Sequence, residues 1–366
     1  MRRDPSSRRN PNPRAARCAI KFTPTSPSFT PALIKRALGP FSQAGYAVKL
    51  AASAPDTIHV LSHDVIDASS GDVVHLKLVA GKEPLTDPEL VLSAVKPRTE
   101  LGFAVDPAGN AVATIRVQTG KTDAGGPIAK IAARKKTGGG AFTALPDVAS
   151  GLLPNEAPRT GEASLIVDAN GTFNLLFHYC EVFAHSQPRY HTLDGSSWSY
   201  RKTVDNAIVD GLSGYSPRVA EHNGKKFAAY YFRKALQSPP ESADLRLASW
   251  SLATDTPTIE ILDQTIPSLD AQYPRYRVAM AVDVFGLVHL AIVRPTTGTK
   301  GYLEYRRQTR VAGGGVKWLS DIVDPDVLSE SSDALVDLVV DDKGRPHIAY
   351  RSGVDLKVRY ASRYDR

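Results

Sequence analysis

The sequence predicts an all-β chain folded as a six-bladed β-propeller of four-stranded antiparallel blades. Three observations carry the prediction. A strand–turn–strand phrase recurs six times at intervals of 53 to 62 residues. Each copy is followed by two further strand-like segments. Nothing between the copies sustains the 3.6-residue apolar period that a crossover helix requires.

The phrase is a short apolar run, an acidic residue, two variable residues, Gly, and a second apolar run. Clear copies are LGFAVDPAGNAVATIRV (101–117), ASLIVDANGTFNLLFHY (163–179), VAMAVDVFGLVHLAIVR (278–294) and VDLVVDDKGRPHIAYRS (336–352). Looser copies are PRVAEHNGKKFAAYYF (217–232) and AVKLAASAPDTIHVLSH (47–63). The turn positions are therefore Asp56, Gly109, Gly171, Gly224, Gly286 and Gly344. Each phrase reads as a β-hairpin: the Val, Ile, Leu, Phe and Tyr flanks suit strands. At the turn Asp bonds nearby backbone and Gly accepts positive φ.

Third strands are expected at 73–79, 127–136, 188–193, 244–252, 302–308 and 355–363, and fourth strands at 89–95, 141–148, 198–204, 258–264 and 317–323. Four strands in 50–60 residues is the arrangement of a propeller blade. The sixth unit ends at Arg366 after its third strand. An unassigned segment, TPALIKRALGPF (30–41), resembles the fourth strands and is expected to complete the last blade, removing two open sheet edges. The expected organisation is thus a basic, disordered tail over 1–29 and a propeller over 30–366.

Of the +7 formal charge, residues 1–17 supply +5, from six Arg and one Asp, leaving about +2 for the remainder. The basicity is therefore a property of a tail rich in Pro, Asn and Ser, able to touch an anionic surface but mainly solvated. A basic patch for nucleic acid is not expected on so neutral a propeller. Cys18 and Cys180 form no CxxC or Cys/His cluster, so neither a disulfide framework nor a zinc site is indicated. No apolar run follows the basic start, so no signal peptide is visible, and no stretch reaches the roughly 18–20 apolar residues of a membrane span. No cofactor is expected, and a monomer is.

At DDKGRPHIAYRSGVDLKVRYASR (341–363) the chain resembles the BNR/sialidase-like propeller repeats of bacterial proteins, and the resemblance extends over all six units. It implies the propeller architecture and a secreted or cell-surface setting. TLDGSSW (192–198) stands where that family carries its S-x-D-x-G-x-T-W box, one residue short between Asp194 and Gly195. The family's F/Y-R-I-P motif is absent. The resemblance thus speaks for architecture, not for a reaction.

In a propeller, the loops before strand one and after strand two open on the same face, the usual ligand face. Pro-Arg precedes strand one at Arg98, Arg159 and Arg275, eight or nine residues before Asp106, Asp168 and Asp283. Arg218 follows Pro217 within the strand, and Arg277 lies two residues beyond Arg275. Guanidinium groups at a channel mouth would bind a carboxylate, sulfate or phosphate bidentately. The competing reading pairs them with Glu100, Glu156, Glu162 and Asp270. Seven residues beyond the turns stand His63, Arg116, His178, Tyr231, Val293 and Arg351, five of them polar. His178 and Tyr231 are the candidate acid/base pair, with capping of strand ends at the surface as their neutral role.

His59, His289 and His347 each lie three residues past a turn. Equivalent positions in different blades are a ring radius apart, far beyond the ~2 Å of a metal bond, so they read as blade structure. The turn acids Asp106, Asp168, Asp283 and Asp341 read likewise. GGG at 138–140 and 313–315 lacks the following Lys-Ser/Thr of a phosphate loop and reads as a hairpin link.

Two functions are therefore expected in competition. One is a non-catalytic binding or scaffold propeller whose ligand is a glycan or a protein. It accords with the lack of a catalytic motif and with long polar loops at 233–243 and 294–301. The other is a sialidase-like hydrolase or polysaccharide lyase acting on an anionic saccharide, with the arginines binding its carboxylate.

Overall fold

The hairpin turns set the pattern on which everything else is built. In the computed structural model the Asp106 amide donates to the Asn110 carbonyl and the Gly109 amide returns to the Asp106 carbonyl, both at 2.9 Å. The same pair of bonds recurs at Asp168, Asp283 and Asp341. The Asp283 carboxylate accepts the amides of Phe285 and Leu287 at 2.9 Å, and Asp168 and Asp341 cap their turns in the same way. Gly109, Gly171, Gly286 and Gly344 have φ between +74° and +82°, a region closed to most side chains. In the fourth unit Asn223 and Gly224 make a tighter two-residue turn at φ +49° and +79°.

The structure describes residues 48–362 except 55–56, 66–69, 80–87, 96–100, 124–125, 153–162, 183–184, 207–210, 235–241, 252–255, 268–276, 297–299, 329–335, 342 and 352–357. Blade one is β1 (Val48–Ala54), β2 (Thr57–Val65), β3 (Gly71–Val79) and β4 (Glu89–Val95). Blade two is β5 (Leu101–Val105), β6 (Ala111–Asp123), β7 (Gly126–Lys136) and β8 (Thr143–Leu152). Blade three is β9 (Ala163–Val167), β10 (Phe173–Val182), β11 (His185–Asp194) and β12 (Ser197–Thr203). Blade four is β13 (Gly211–His222), β14 (Lys225–Lys234), β15 (Ser242–Ser251) and β16 (Thr258–Pro267). Blade five is β17 (Arg277–Val282), β18 (Val288–Pro295), β19 (Lys300–Arg310) and β20 (Val316–Leu328). The described part of blade six is β21 (Val336–Val340), β22 (Pro346–Arg351) and β23 (Val358–Ser362).

Within each blade the strands pair antiparallel in sequence order. The first strands pack one against the next from β1 to β21, placing the blades around the ring of a six-bladed propeller. One parallel bridge, Ser186 to Leu212, joins the sheets of blades three and four. The expected third strands, and the five expected fourth strands, lie where the repeat predicts them. The expected closing strand, 30–41, lies outside the described residues, as does the tail.

Alternation along each strand divides its side chains between two neighbouring blades. On β10, Leu175 and Phe177 pack with Val112 and Ile131 of blade two, whereas Leu176 packs with Val219, Ala228 and Tyr230 of blade four. On β14, Tyr230 faces blade three, but Phe227, Ala229 and Tyr231 pack with Val278, Leu290 and Ile292 of blade five. The core is thus a series of interblade layers rather than one central mass.

A polar clasp repeats at three successive interfaces. Asp205, just after β12, accepts from Tyr230 at 3.0 Å and Arg246 at 2.8 Å, both in blade four. Asp263 on β16 accepts from Arg294 at 2.5 Å and Arg306 at 3.0 Å, both in blade five. Asp324 on β20 accepts from Tyr350 at 3.0 Å and Arg359 at 3.3 Å, both in blade six. β16 and β20 carry a bulge beside the acid, where one strand gains a residue and the aspartate is re-aimed. The Arg294 guanidinium loses hydration through burial, but Tyr231, Glu304 and Asp263 more than compensate and raise its pKa.

Candidate functional site

Antiparallel pairing puts the start of strand one and the end of strand two at the same end of every blade. Leu101 pairs with Ile115, Ala163 with Phe177, Tyr215 with Tyr231, Arg277 with Val293 and Val336 with Tyr350. His63, Arg116, His178, Tyr231, Val293 and Arg351 therefore form one layer beneath that face. Alternation aims each described side chain of this layer at the following blade: His63 shares its side of β2 with Leu61, against blade two, and Val293 packs against blade six.

This geometry separates the candidate acid/base pair. His178 lies on the side of β10 that faces blade four, and Tyr231 on the side of β14 that faces blade five. The sheet of blade four stands between them. His178 is 0% exposed and Tyr231 1% exposed, so neither caps a strand end at the surface, the neutral role expected from the sequence. His63 is equally enclosed, and Arg116 is half-buried.

Of the Pro-Arg entries, Arg98, Arg159 and Arg275 lie outside the described residues, as do Glu100, Glu156, Glu162 and Asp270. Arg218 is held within β13, where the register shifts between Tyr215 and Arg218 and buried Ser216 takes φ +51°. Its Nη1 donates to the Pro217 carbonyl at 2.8 Å, turning the guanidinium back on its own strand. Arg277 opens β17, half-buried, opposite Val293. Arg351 closes β22 opposite Val358.

The three equivalent histidines bond within their own blades. His289 lies 3.2 Å from the Asp283 carboxylate and 2.6 Å from the Tyr305 hydroxyl. His347 lies 3.4 Å from Asp341. In blade one Ser53 takes the place of the turn acid: Ser53 Oγ and His59 Nε2 are 2.9 Å apart, and His59 Nδ1 and His75 Nε2 are 2.9 Å apart. His75 reaches Glu89 at 3.3 Å, and Lys136 of blade two also bonds Glu89. Burial pushes the His59 pKa down to about 4, helped by His75, Lys77 and Lys136. Burial also lowers that of His75, opposed by Glu89. In blade three Asn174 takes the histidine's place and accepts from the Tyr190 hydroxyl at 2.5 Å. These chains tie turn, second strand and third strand together.

Sequence reading missed a second group at the same end of blade three. The Arg189 guanidinium stacks 3.3 Å from the Tyr179 ring centroid and lies 5.9 Å from that of Tyr200. His191 meets the edge of Tyr200 at 5.5 Å and Phe177 at 5.1 Å. Burial, then Arg189, pushes the His191 pKa down to about 4, so the imidazole is neutral at physiological pH. The signal was present in PRYHTL, which puts Arg189 and His191 on one side of its strand, and in WSYRKT, which puts Trp198 and Tyr200 on one side of the next.

No protein-family model matches the chain, and no curated protein matches its sequence. Solved structures do. A Hadza microbial sialidase aligns over 86% of this chain and 65% of its own, at TM-score 0.57 and 12% identity. The fold is that of the sialidase β-propeller. A Trypanosoma rangeli sialidase in complex with sialic acid aligns over 87% of this chain and 54% of its own, at TM-score 0.50 and 10% identity. The same enzyme with 2,3-difluorosialic acid, as a covalent intermediate, aligns over 86% and 53%, at TM-score 0.51 and 11% identity. The chain thus spans between half and two thirds of the length of these sialidases, and at such identity the likeness to the sialidase propeller is one of fold.

Proposed function

We propose that the protein is a non-catalytic, monomeric sialidase-type propeller that binds a glycan through the face where strand one begins and strand two ends. The observation that carries this reading is the separation of His178 and Tyr231. A general acid and base must both reach one substrate, and here a blade stands between two enclosed side chains. Arg277 at the head of β17 and the arginines of the Pro-Arg entries supply recognition chemistry without that pair. The sialic acid complex of a fold neighbour supports a glycan as the ligand class. A protein ligand on the same face is the competing occupant.

An array of acidic and neutral polysaccharides, read beside an activity screen on the same sugars, tests the proposal. Binding of an acidic glycan without turnover is the expected result. Binding to none would move the assignment to a protein partner. The second reading, an anionic-saccharide hydrolase or lyase, is favoured by the sialidases among the fold neighbours. Cleavage of the bound glycan would establish it in place of the first.

A further inference from the structure

The outer strands of blade three, on the side facing blade two, carry a cation that no acid neutralises among the described residues. Arg189, half-buried on β11, makes no ion pair among the described residues; its contacts are the rings of Tyr179 and Tyr200. Tyr179, Arg189, His191, Trp198 and Tyr200 all project from the side of blade three that faces blade two, continuous with the layer of Phe173, Leu175 and Phe177. β12 and β8 pack together, and Trp198 joins the layer that holds Val148 of β8.

Three enclosed nitrogens of the cluster lack a hydrogen-bond partner: Arg189 Nε, His191 Nδ1 and Trp198 Nε1. His191 is only 7% exposed. Buried polar groups are normally paired, so these atoms mark a cluster whose polar groups packing leaves unsatisfied on the inside, while its cation has its outward edge toward solvent. A guanidinium stacked on a ring uses its face for that contact and leaves its two terminal Nη groups for an end-on partner. Tyr200, 54% exposed, offers an aromatic surface beside that edge.

We propose that this lateral face is a second binding site, for a sugar residue that carries a carboxylate. The carboxylate bonds the Arg189 edge end-on and bidentately. The C–H face of the pyranose ring packs on Tyr200, whose ring is apolar in body and polar at its tip. Neutral His191 fixes the Tyr200 ring from its edge and adds no competing charge. The site lies outside the channel-mouth layer, so it would let one propeller hold two residues of a polymeric acidic glycan. It rests on the reading of the ligand as a glycan, and adds a place and a chemical class.

The test is calorimetric titration of the full chain with cellobiouronic acid and, separately, with neutral cellobiose. Wild type is expected to bind the acid at least tenfold more tightly than the neutral sugar. Arg189→Gln should weaken the acid at least tenfold and leave the neutral sugar unchanged. Tyr200→Ala, at an exposed position, should weaken both sugars. Arg201→Gln, which removes a nearby cation bonded instead to Thr192 and Asp194, should change nothing. Unaltered binding in folded Arg189→Gln and Tyr200→Ala overturns the lateral site. Loss in Arg277→Gln but not in Arg189→Gln also overturns it, while leaving the glycan reading intact. Failure of wild type to bind either sugar overturns the lateral site, while the glycan reading is decided by the array.

Discussion

Tyr350 of β22 donates its hydroxyl to Asp324 of the preceding blade at 3.0 Å, and burial followed by the Asp324 charge pushes the tyrosine pKa up to about 12. Asp324 also accepts from Arg359. Removing the acid strands a buried hydroxyl and takes one partner from Arg359. Asp324→Ala should therefore lower the unfolding free energy by about 1–3 kcal/mol, and Tyr350→Phe by ~1 kcal/mol. Urea denaturation followed by fluorescence measures both. A change under about 0.5 kcal/mol for Asp324→Ala would mean that the clasp is only a surface contact.

The His59–His75 pair makes the propeller sensitive to acid. Both pKa values are lowered on folding, so the unfolded chain binds more protons below the ordinary histidine value. The pair's contribution is full above pH ~6.5 and is lost as pH falls toward 4. Glu89, Lys77 and Lys136 face the pair, and Glu89 moderates the effect on His75 alone. The denaturation midpoint should fall across that window, and His59→Gln should flatten the slope. A slope unchanged by His59→Gln would assign it to other groups.

Two turn glycines should respond differently to the same change. Gly109 has φ +82°, and a Cβ added there would meet nothing within 4 Å, so Gly109→Ala costs only backbone strain, about 1–2 kcal/mol. Gly286 has φ +78°, and an added Cβ would meet the His222 ring of blade four at 3.0 Å. Gly286→Ala should be the more destabilising, and His222→Ala in the same chain should recover the difference. Equal losses in thermal melts would show that the His222 ring moves aside freely.

The last blade supplies a test by truncation. β23 pairs with β22 along one edge, and no fourth strand follows it among the described residues, whereas the other five blades have one. Deleting 1–29 should leave the melting temperature almost unchanged. Deleting 1–41 should lower it sharply, because it removes the proposed closing strand. Equal effects of the two deletions would refute closure by 30–41.

Much of the architecture was legible because its determinants are local. Asp and Gly at fixed spacing make the turn, and alternating apolar residues make strands such as VVHLKLV and DLRLASWSL. The blade-structural role of His289 also followed from its position after the turn. The site was less legible because it depends on which side of a sheet a residue occupies. His178 and Tyr231 looked adjacent as equivalent positions in neighbouring blades. Equivalence itself aims both at the following blade, so a sheet must divide them. The solitary charge of Arg189 was hidden for another reason: no local pattern tells which acids tertiary packing brings near a given cation.

The clasps at Asp205, Asp263 and Asp324 have a direction. In each, the acceptor belongs to the earlier blade and both donors to the later one. A ribosome therefore releases the aspartate first, and its partners follow 25 to 43 residues later, a few seconds at ordinary elongation rates. Each blade thus ends on an acceptor that is made before the donors of the next, an order that favours growth of the ring from blade three toward blade six.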